Sequence, residues 1–185
     1  AVAVGLELGI DFPTIADGLA QYTGVQRRFQ IKGEARRQPD DAETVVVVDD
    51  YAHHPTEVEA TLEAAARGWP ARRVVAVFQP HLYSRTRDLA DDFAHAFYDA
   101  NVLVVTDVYP AREAPIEGID GQMIADRARD YGHRDVHYIE QKTDLPTALG
   151  EIVEPGDLVV TMGAGDIWRY GQAFLDTLTD SSPSA

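Results

Sequence analysis

Five short runs of apolar, mostly β-branched residues alternate with longer helical patterns, and no other feature restricts the fold as strongly. The apolar runs are Val45–Val48, Val74–Phe78, Val102–Thr106, Val136–Ile139 and Leu158–Met162. The helical patterns are Pro55–Gly68, Ser84–Asp99, Gly121–Tyr131, Asp144–Val153 and Ala164–Leu178. Repetition of strand, helix and strand predicts right-handed crossovers and a mostly parallel sheet with helices on both faces. We therefore expect a doubly wound α/β fold.

The residues before Val45 are expected to form an edge strand and, before it, two helices that belong to a preceding domain. Arg28–Lys32 alternates in polarity and could be an antiparallel edge strand, which makes a Rossmann-like sheet of about six strands. Two helical stretches, Ala1–Ile10 and Asp11–Gln21, precede Gly24. We expect residues 1–24 to be the terminal helices of a preceding domain, residues 25–179 to form the main domain, and residues 180–185 to be a disordered tail.

The composition excludes several classes of protein. A chain of 185 residues with 45% hydrophobic content can bury one good core. Its formal net charge of -15 argues against binding to nucleic acid, because phosphate contacts need clustered Lys and Arg. No apolar run reaches the ~18 residues of a membrane span, so we expect no membrane partner. The absence of cysteine excludes disulfides and thiolate metal sites and fits a reducing compartment.

Polar residues follow the first buried strand, where open α/β sheets bind their ligands. Residues 49–57 read D-D-Y-A-H-H-P-T-E. Asp50 could bind a ribose or a metal, Tyr51 could stack on a base or orient a substrate, and His53 could bind or shuttle protons. The alternative is a polar loop in which His54 is merely packed. We favour function for Asp50 and His53, because acids and imidazoles have little structural reason to gather at the end of a strand.

A second polar cluster, F-Q-P-H-L-Y-S-R-T-R-D-L, covers Phe78–Leu89 and follows the next strand. Arginine presents a planar fork that suits a carboxylate or phosphate, so Arg85 and Arg87 could bind an anion. The alternative is structural: Ser84 would cap the following helix and Arg87 would pair with Asp91 one turn later. We favour an anion-binding role for Arg85 and the structural role for Arg87.

Two further clusters carry weaker signals. Gln26–Phe29 lies at the proposed domain junction, where Arg28 could meet a phosphate held by the preceding domain, although a solvated arginine is an equal alternative. Thr161–Trp168 passes from a strand through a glycine turn into a helix, and a tight turn capped by Asp166 is favoured over ligand contact. Neither G-x-x-x-x-G-K-[ST] nor G-x-G-x-x-G occurs, so we expect no complete nucleotide-phosphate site in this chain.

Four ordered motifs resemble the carboxyl-terminal domain of the Mur ligase family, and within it the branch that joins L-alanine to UDP-N-acetylmuramate. The motifs are D-D-Y-A-H-H-P-T-E, F-Q-P-H-L-Y-S-R-T-R-D-L, D-V-Y-P-A-R-E-A-P-I at Asp107–Ile116, and G-A-G-D-I. The resemblance implies that residues 25–179 are the third of three domains and that residues 1–24 end the central ATPase domain. The P-loop and the upstream metal ligands would be missing, so the fragment is expected to be inactive alone.

The resemblance also implies a reaction. An ATP-dependent carbon–nitrogen ligase of peptidoglycan synthesis phosphorylates the muramate carboxylate, and the amine of L-alanine attacks the acyl phosphate. ATP and Mg²⁺ would be held mainly by the missing central domain, and no metal site is expected in this chain. The implied partners are UDP-N-acetylmuramate, L-alanine and the missing amino-terminal and central domains, in the cytoplasm.

The family's site residues can be carried over to five positions. Arg28 resembles the junction arginine near the transferred phosphoryl group, and with His53 and Arg85 it forms the expected catalytic set. Asp50 and Tyr51 match the positions that contact the nucleotide. Tyr51, His53 and Arg85 match those that bind the amino acid and the intermediate.

The sequence departs from the family pattern at two positions and leaves two alternatives open. Ala52 stands where glycine is frequent, and Leu82 stands where some members have arginine, so we assign Leu82 no role. A ligase that recycles murein peptides shares the D-D-x-A-H-H-P core, but the run Phe78–Leu89 favours the alanine-adding branch. The chain could also be a stand-alone α/β module that binds a nucleotide or metabolite without catalysis.

Overall fold

The sheet has six strands in the order β1-β2-β6-β3-β4-β5 in the computed structural model, which describes residues 1–21 and 24–180. The strands are β1 (Gln30–Ala35), β2 (Val45–Asp50), β3 (Val74–Phe78), β4 (Val102–Thr106), β5 (Val136–Ile139) and β6 (Leu158–Met162). β1 pairs with β2 antiparallel, and the other neighbours are parallel. This topology confirms the predicted doubly wound, mostly parallel α/β class.

Eight α-helices accompany the sheet in the described residues. They are α1 (Val2–Glu7), α2 (Phe12–Ala20), α3 (Pro55–Gly68), α4 (Tyr83–Asp88), α5 (Ala90–Ala96), α6 (Gly121–Asp130), α7 (Leu145–Ile152) and α8 (Ile167–Asp180). Residues of α3, α5 and α6 form the core on one face of the sheet, and residues of α7 and α8 form the core on the other. Because both faces are covered, β2, β3, β4 and β6 are buried along their whole length, which explains their continuous apolar runs.

Several predicted boundaries need correction. The first central strand continues through Asp49 to Asp50, and the edge strand runs from Gln30 to Ala35 instead of starting at Arg28. The long helix predicted after β3 is two helices, because the chain leaves helical geometry at Leu89, whose φ is -116° and whose side chain packs against the core. No glycine or proline marks this break, so tertiary packing sets it.

The two ends of the chain differ in how far the structure describes them. Asp180 closes α8, whereas the predicted disordered tail otherwise covers residues 181–185, which lie outside the described residues. At the other end, α1 and α2 pack closely, since a Cβ on Gly5 would lie 2.7 Å from Ile15 Cδ1. Within the described chain, no helix is both long and apolar enough to cross a membrane. The domain boundary near Gly24 stays a prediction.

Candidate functional site

The candidate site lies at the carboxyl edge of the sheet, where the chain leaves β2, β3, β4 and β6. β6 lies between β2 and β3, and the amide of Gly163 just beyond it donates to the Asp50 carbonyl at 3.3 Å. The amide of Gln79, which follows β3, donates to the Met162 carbonyl at 3.0 Å. The three strand ends are therefore level, and the polar residues that follow β2 and β3 open onto one surface.

Five side chains form a continuous row along this edge. The Arg28 guanidinium lies 5.7 Å from the centre of the Tyr51 ring, and the Tyr51 and His53 rings meet edge to face at 5.3 Å. His53 lies 5.8 Å from the His81 ring, and Arg85 Nη1 lies 3.4 Å from His81 Nδ1. We call Arg28, Tyr51, His53, His81 and Arg85 the edge row. Four of its members were predicted site residues, and the structure brings them together.

His53 is held in one orientation by its own loop and by helix α3. Its Nδ1 lies 3.0 Å from the Tyr51 carbonyl oxygen and 3.1 Å from Glu57 Oε2. Because both partners are hydrogen-bond acceptors, Nδ1 carries the proton and Nε2 is the ring nitrogen that can meet a ligand. Burial tends to raise the pKa of Glu57, but the His53 amide, the His53 imidazole and the His54 amide together lower it below its ordinary value. Glu57 is therefore a fixed negative partner for His53.

His81 and Arg85 form the opposite end of the row. Burial first, and then the charges of Arg85 and His53, lower the pKa of His81 below its ordinary value. The guanidinium can only donate, so His81 Nδ1 is the acceptor and the neutral ring carries its proton on Nε2. His81 was part of a motif noted in the sequence but was not selected as a site residue. Its position two residues beyond Gln79, in the loop that leads into the helix of Arg85, was the available signal.

Replacing Arg85 by alanine is expected to raise the pKa of His81, because one of the positive charges that disfavour the imidazolium is removed. The pKa should stay below the ordinary value, since burial is the larger cause. An NMR titration of the imidazole nitrogens measures this directly. Arg87→Ala is the matched control and should leave the His81 titration unchanged; an unchanged titration in Arg85→Ala as well would contradict the proposed contact.

Asp50 lies beneath the row, and its carboxylate accepts hydrogen bonds from two backbone amides. Its Oδ2 accepts from the Phe29 amide at 2.6 Å and its Oδ1 from the Ala52 amide at 2.7 Å. The residue is only 7% exposed. A carboxylate offers about four lone-pair positions, so a ribose hydroxyl can still bind, but the observed contacts are structural. Ala52 does not adopt a positive φ, so alanine replaces the family's glycine without strain.

Arg27 and Arg28, the two arginines at the junction, have different environments, which the sequence did not predict. Arg27 Nε binds Asp49 Oδ2 at 3.1 Å, and its Nη2 binds the Gly163 carbonyl at 2.5 Å. Arg27 also has a φ of 58°, an uncommon conformation for arginine. Arg28, in contrast, is exposed and contributes to the edge row. Arg27 therefore anchors the junction to the sheet, and Arg28 is left to meet a ligand.

The glycine turn after β6 is built differently from the predicted turn. The Asp166 carboxylate, predicted to cap the turn, instead accepts from Lys142 Nζ at both of its oxygens, at 2.8 and 2.7 Å. Asp166 Oδ1 also accepts from Gln79 Nε2 at 3.2 Å. Gly163 has a φ of 151°, and a Cβ there would lie 2.9 Å from the Gln79 carbonyl oxygen. The turn thus requires glycine for packing, in keeping with its structural interpretation.

Ser84 and Arg87 do not have the partners that were predicted for them. Ser84 does not cap α4, whose N-cap is Leu82, and its hydroxyl donates to Glu113 at 2.5 Å. Arg87 pairs with Asp88 instead of Asp91, and the pair is solvent-exposed. Asp91 pairs instead with Arg127 of helix α6. Arg87 is therefore a paired surface residue, with a partner other than the predicted one, and the anion-binding role of Arg85 stays a prediction.

Chemically, the edge row is a cationic and hydrogen-bonding surface on an acidic protein. Arg28 and Arg85 supply permanent positive charge at its two ends, and His53 and His81 lie between them. Such a surface favours a ligand with carboxylate or phosphate groups. Beside it, a pocket of about 170 Å³ is lined by Gln79, Asp107, Val108, Glu140, Gln141 and Lys142. Within the described residues no group of three His, Cys, Asp or Glu could hold a metal ion.

The chain is similar in sequence to one family of known proteins. The family model for the Mur ligase, glutamate ligase domain, matches residues 27–165. A UDP-N-acetylmuramate--L-alanine ligase from Salinibacter ruber is 57% identical over 185 residues, which is 100% of this chain and 38% of that protein. The enzyme of that name from Geobacter sulfurreducens is 51% identical over 180 residues, covering 97% of this chain and 37% of that protein.

A solved structure gives the same picture. The UDP-N-acetylmuramate-alanine ligase from Thermotoga maritima superimposes with a TM-score of 0.78 at 28% identity, covering 98% of this chain and 36% of that chain. The present chain thus spans well under half the length of the relatives it matches.

Proposed function

The chain belongs to the Mur ligase family, and we propose that it is the carboxyl-terminal domain of an ATP-dependent ligase that adds L-alanine to UDP-N-acetylmuramate. The reaction would form a carbon–nitrogen bond through an acyl phosphate in peptidoglycan synthesis. The cytoplasm as its location is part of this proposal. So is the expectation that this chain is inactive by itself, because it spans little more than a third of the relatives' length.

The edge row is the single observation that carries the proposal. It gathers Arg28, Tyr51, His53 and Arg85, which come from three separate motifs, on one sheet edge. Arg85 suits the carboxylate of the amino acid or an oxygen of the intermediate, and Arg28 suits the transferred phosphoryl group. His53, with its proton fixed on Nδ1, would present Nε2 to the same ligand. The row is one wall of a cleft, and closure against a preceding domain would complete it and exclude water.

The amino-terminal helices support the proposed domain arrangement. α1 and α2 expose large apolar side chains, including Val4 at 63% and Phe12 at 59%. Exposed apolar surface of this kind marks a contact face. We propose that it packs against the rest of a central ATPase domain, for which residues 1–24 supply the terminal helices.

ATP and Mg²⁺ would be held mainly by that central domain. ATP would supply the phosphoryl group, and Mg²⁺ would neutralise phosphate charge. In this chain, Asp50 and Tyr51 would contact the nucleoside. Each Asp50 oxygen already accepts from a backbone amide, so each has about one position left for a ribose hydroxyl.

The intact protein is expected to release phosphate from ATP only when both UDP-N-acetylmuramate and L-alanine are present. A coupled phosphate assay with each substrate omitted in turn measures this dependence. Release that requires a murein peptide in place of L-alanine would favour the recycling branch, and release with no amine acceptor present would contradict the proposed ligation.

The alternative of a stand-alone binding module makes a different prediction for the 185-residue chain. Isothermal titration with ATP, UDP-N-acetylmuramate and L-alanine should show weak or no binding if the chain is one wall of a larger site. Tight nucleotide binding by this chain alone would support the module.

A further inference from the structure

The segment between β4 and α6 contacts the loop and helix that carry His81 and Arg85. The Tyr109 amide donates to the Pro80 carbonyl at 2.8 Å, and the Leu82 amide donates to the Tyr109 carbonyl at 3.0 Å. The Tyr109 ring stacks on the His81 ring at 5.7 Å with only 10° between the planes. The two loops are therefore joined by backbone and by side chain before helix α4 begins.

Helix α4 needs such external support. It contains only six residues, its N-cap Leu82 has a φ of 71°, and no side chain of its own caps its first turn. Helices this short are marginal without tertiary contacts. Glu113 supplies the missing acceptors from the other loop: its Oε2 accepts from the Ser84 amide at 2.9 Å and its Oε1 from the Ser84 hydroxyl at 2.5 Å.

We propose that Glu113 is a positioning residue for the ligase reaction: by binding Ser84 at both oxygens it fixes helix α4 and thereby the direction of Arg85. This inference rests on the proposed function. Glu113 acts on Arg85 indirectly, because it binds Ser84, the residue directly before Arg85 in the chain. Hydrogen bonds from Ser84, and more weakly the charge of Arg85, lower the pKa of Glu113, so the carboxylate is ionised at neutral pH and accepts both bonds.

The Tyr109 ring has close neighbours besides His81. Lys142 Nζ lies 5.5 Å from the ring centre, and a Cβ on Gly165 would lie 2.7 Å from two of the ring atoms. Asp166 binds the same Lys142, so the ring has little room to move away from His81. The loop that presents Glu113 is thereby placed against the sheet edge independently of the Ser84 contact.

Hydrogen exchange on the 185-residue chain tests the positioning without any assumption about activity. In Glu113→Ala, the Ser84 and Thr86 amides should exchange at least about tenfold faster, because the amide of Ser84 loses its acceptor and the first turn of α4 frays. Glu117→Ala is the matched control, since Glu117 is an exposed carboxylate in the same loop, and it should leave these amides unchanged. Unchanged exchange in Glu113→Ala would overturn the proposal.

A double-mutant cycle in the intact ligase tests the functional part. Glu113→Ala should lower kcat/KM about tenfold in the wild-type background and less than twofold in an Arg85→Ala background, since the effect acts through Arg85. Ser84→Ala should give a smaller loss in the same direction. Equal losses in both backgrounds would show that Glu113 does not act through Arg85 and would overturn its positioning role. An inactive wild-type ligase would instead refute the proposed function. Hydrogen exchange would still show whether Glu113 holds Ser84 and helix α4 in place.

Discussion

Replacing Arg85 by alanine in the intact ligase is expected to lower kcat/KM about 100-fold, which corresponds to ~2.7 kcal/mol of lost transition-state binding. Arg85 lies at the end of the edge row, beside His81, and no carboxylate hydrogen bond to its guanidinium is seen in the described part of the chain. Its charge is therefore available for an anion, and a charge-assisted hydrogen bond to substrate is worth more than a neutral one. Arg85→Lys should recover only part of the loss, because an ammonium lacks the planar fork.

Two controls separate this effect from general damage. Arg87→Ala changes the same residue type in the same helix, but Arg87 is 51% exposed and paired with Asp88, so activity should stay within about twofold of wild type. Thermal unfolding of Arg85→Ala should be close to wild type. His53→Ala should also lose activity strongly, since its imidazole lies in the middle of the row. Near-normal rates in both Arg85→Ala and His53→Ala would refute the assigned site.

The fold was predictable because the central strands are buried on both faces. Continuous apolar runs such as Val74–Phe78 and Val102–Thr106 match strands β3 and β4 residue for residue, and α3 matches its predicted bounds. Elements that depend on tertiary packing were less predictable. The break at Leu89 has no local sequence signal, and the edge strand β1 begins two residues later and ends three residues later than predicted.

That the predicted site residues lie close together could be foreseen from the sequence, but their contacts could not. Parallel strands place the residues that follow β2 and β3 on one edge, so Tyr51, His53 and Arg85 could be grouped from the sequence. Arg27, and not Arg28, binds a buried carboxylate, because of its backbone φ and because Asp49, 22 residues away, lies beside it. Neither cause can be read from the motif. Contacts across loops, such as that between Ser84 and Glu113, are equally invisible to local pattern.

Arg27→Met is expected to lower the free energy of unfolding by about 3 kcal/mol at pH 7, because it leaves a buried carboxylate without its cation. Asp49 is 1% exposed, and without Arg27 it would keep the hydrogen bond from the Thr161 hydroxyl at 2.8 Å and a weaker interaction with the charge of Lys32. Burial raises the pKa of Asp49, while Thr161 and Arg27 lower it. Without Arg27 that pKa rises further, so the folded carboxyl takes up a proton as the pH falls.

The pH dependence follows from that direction. A carboxyl whose pKa is raised on folding costs stability in full above its folded pKa. The cost shrinks as the pH falls below that value and is gone below the pKa of the unfolded chain. Urea unfolding should therefore show a smaller difference between Arg27→Met and wild type at pH 5 than at pH 7. Arg28→Met, which removes the adjacent exposed arginine, should change stability by less than about 0.5 kcal/mol. If the two variants lose the same stability, or if the Arg27→Met loss is independent of pH, the ion pair with Asp49 does not anchor the junction.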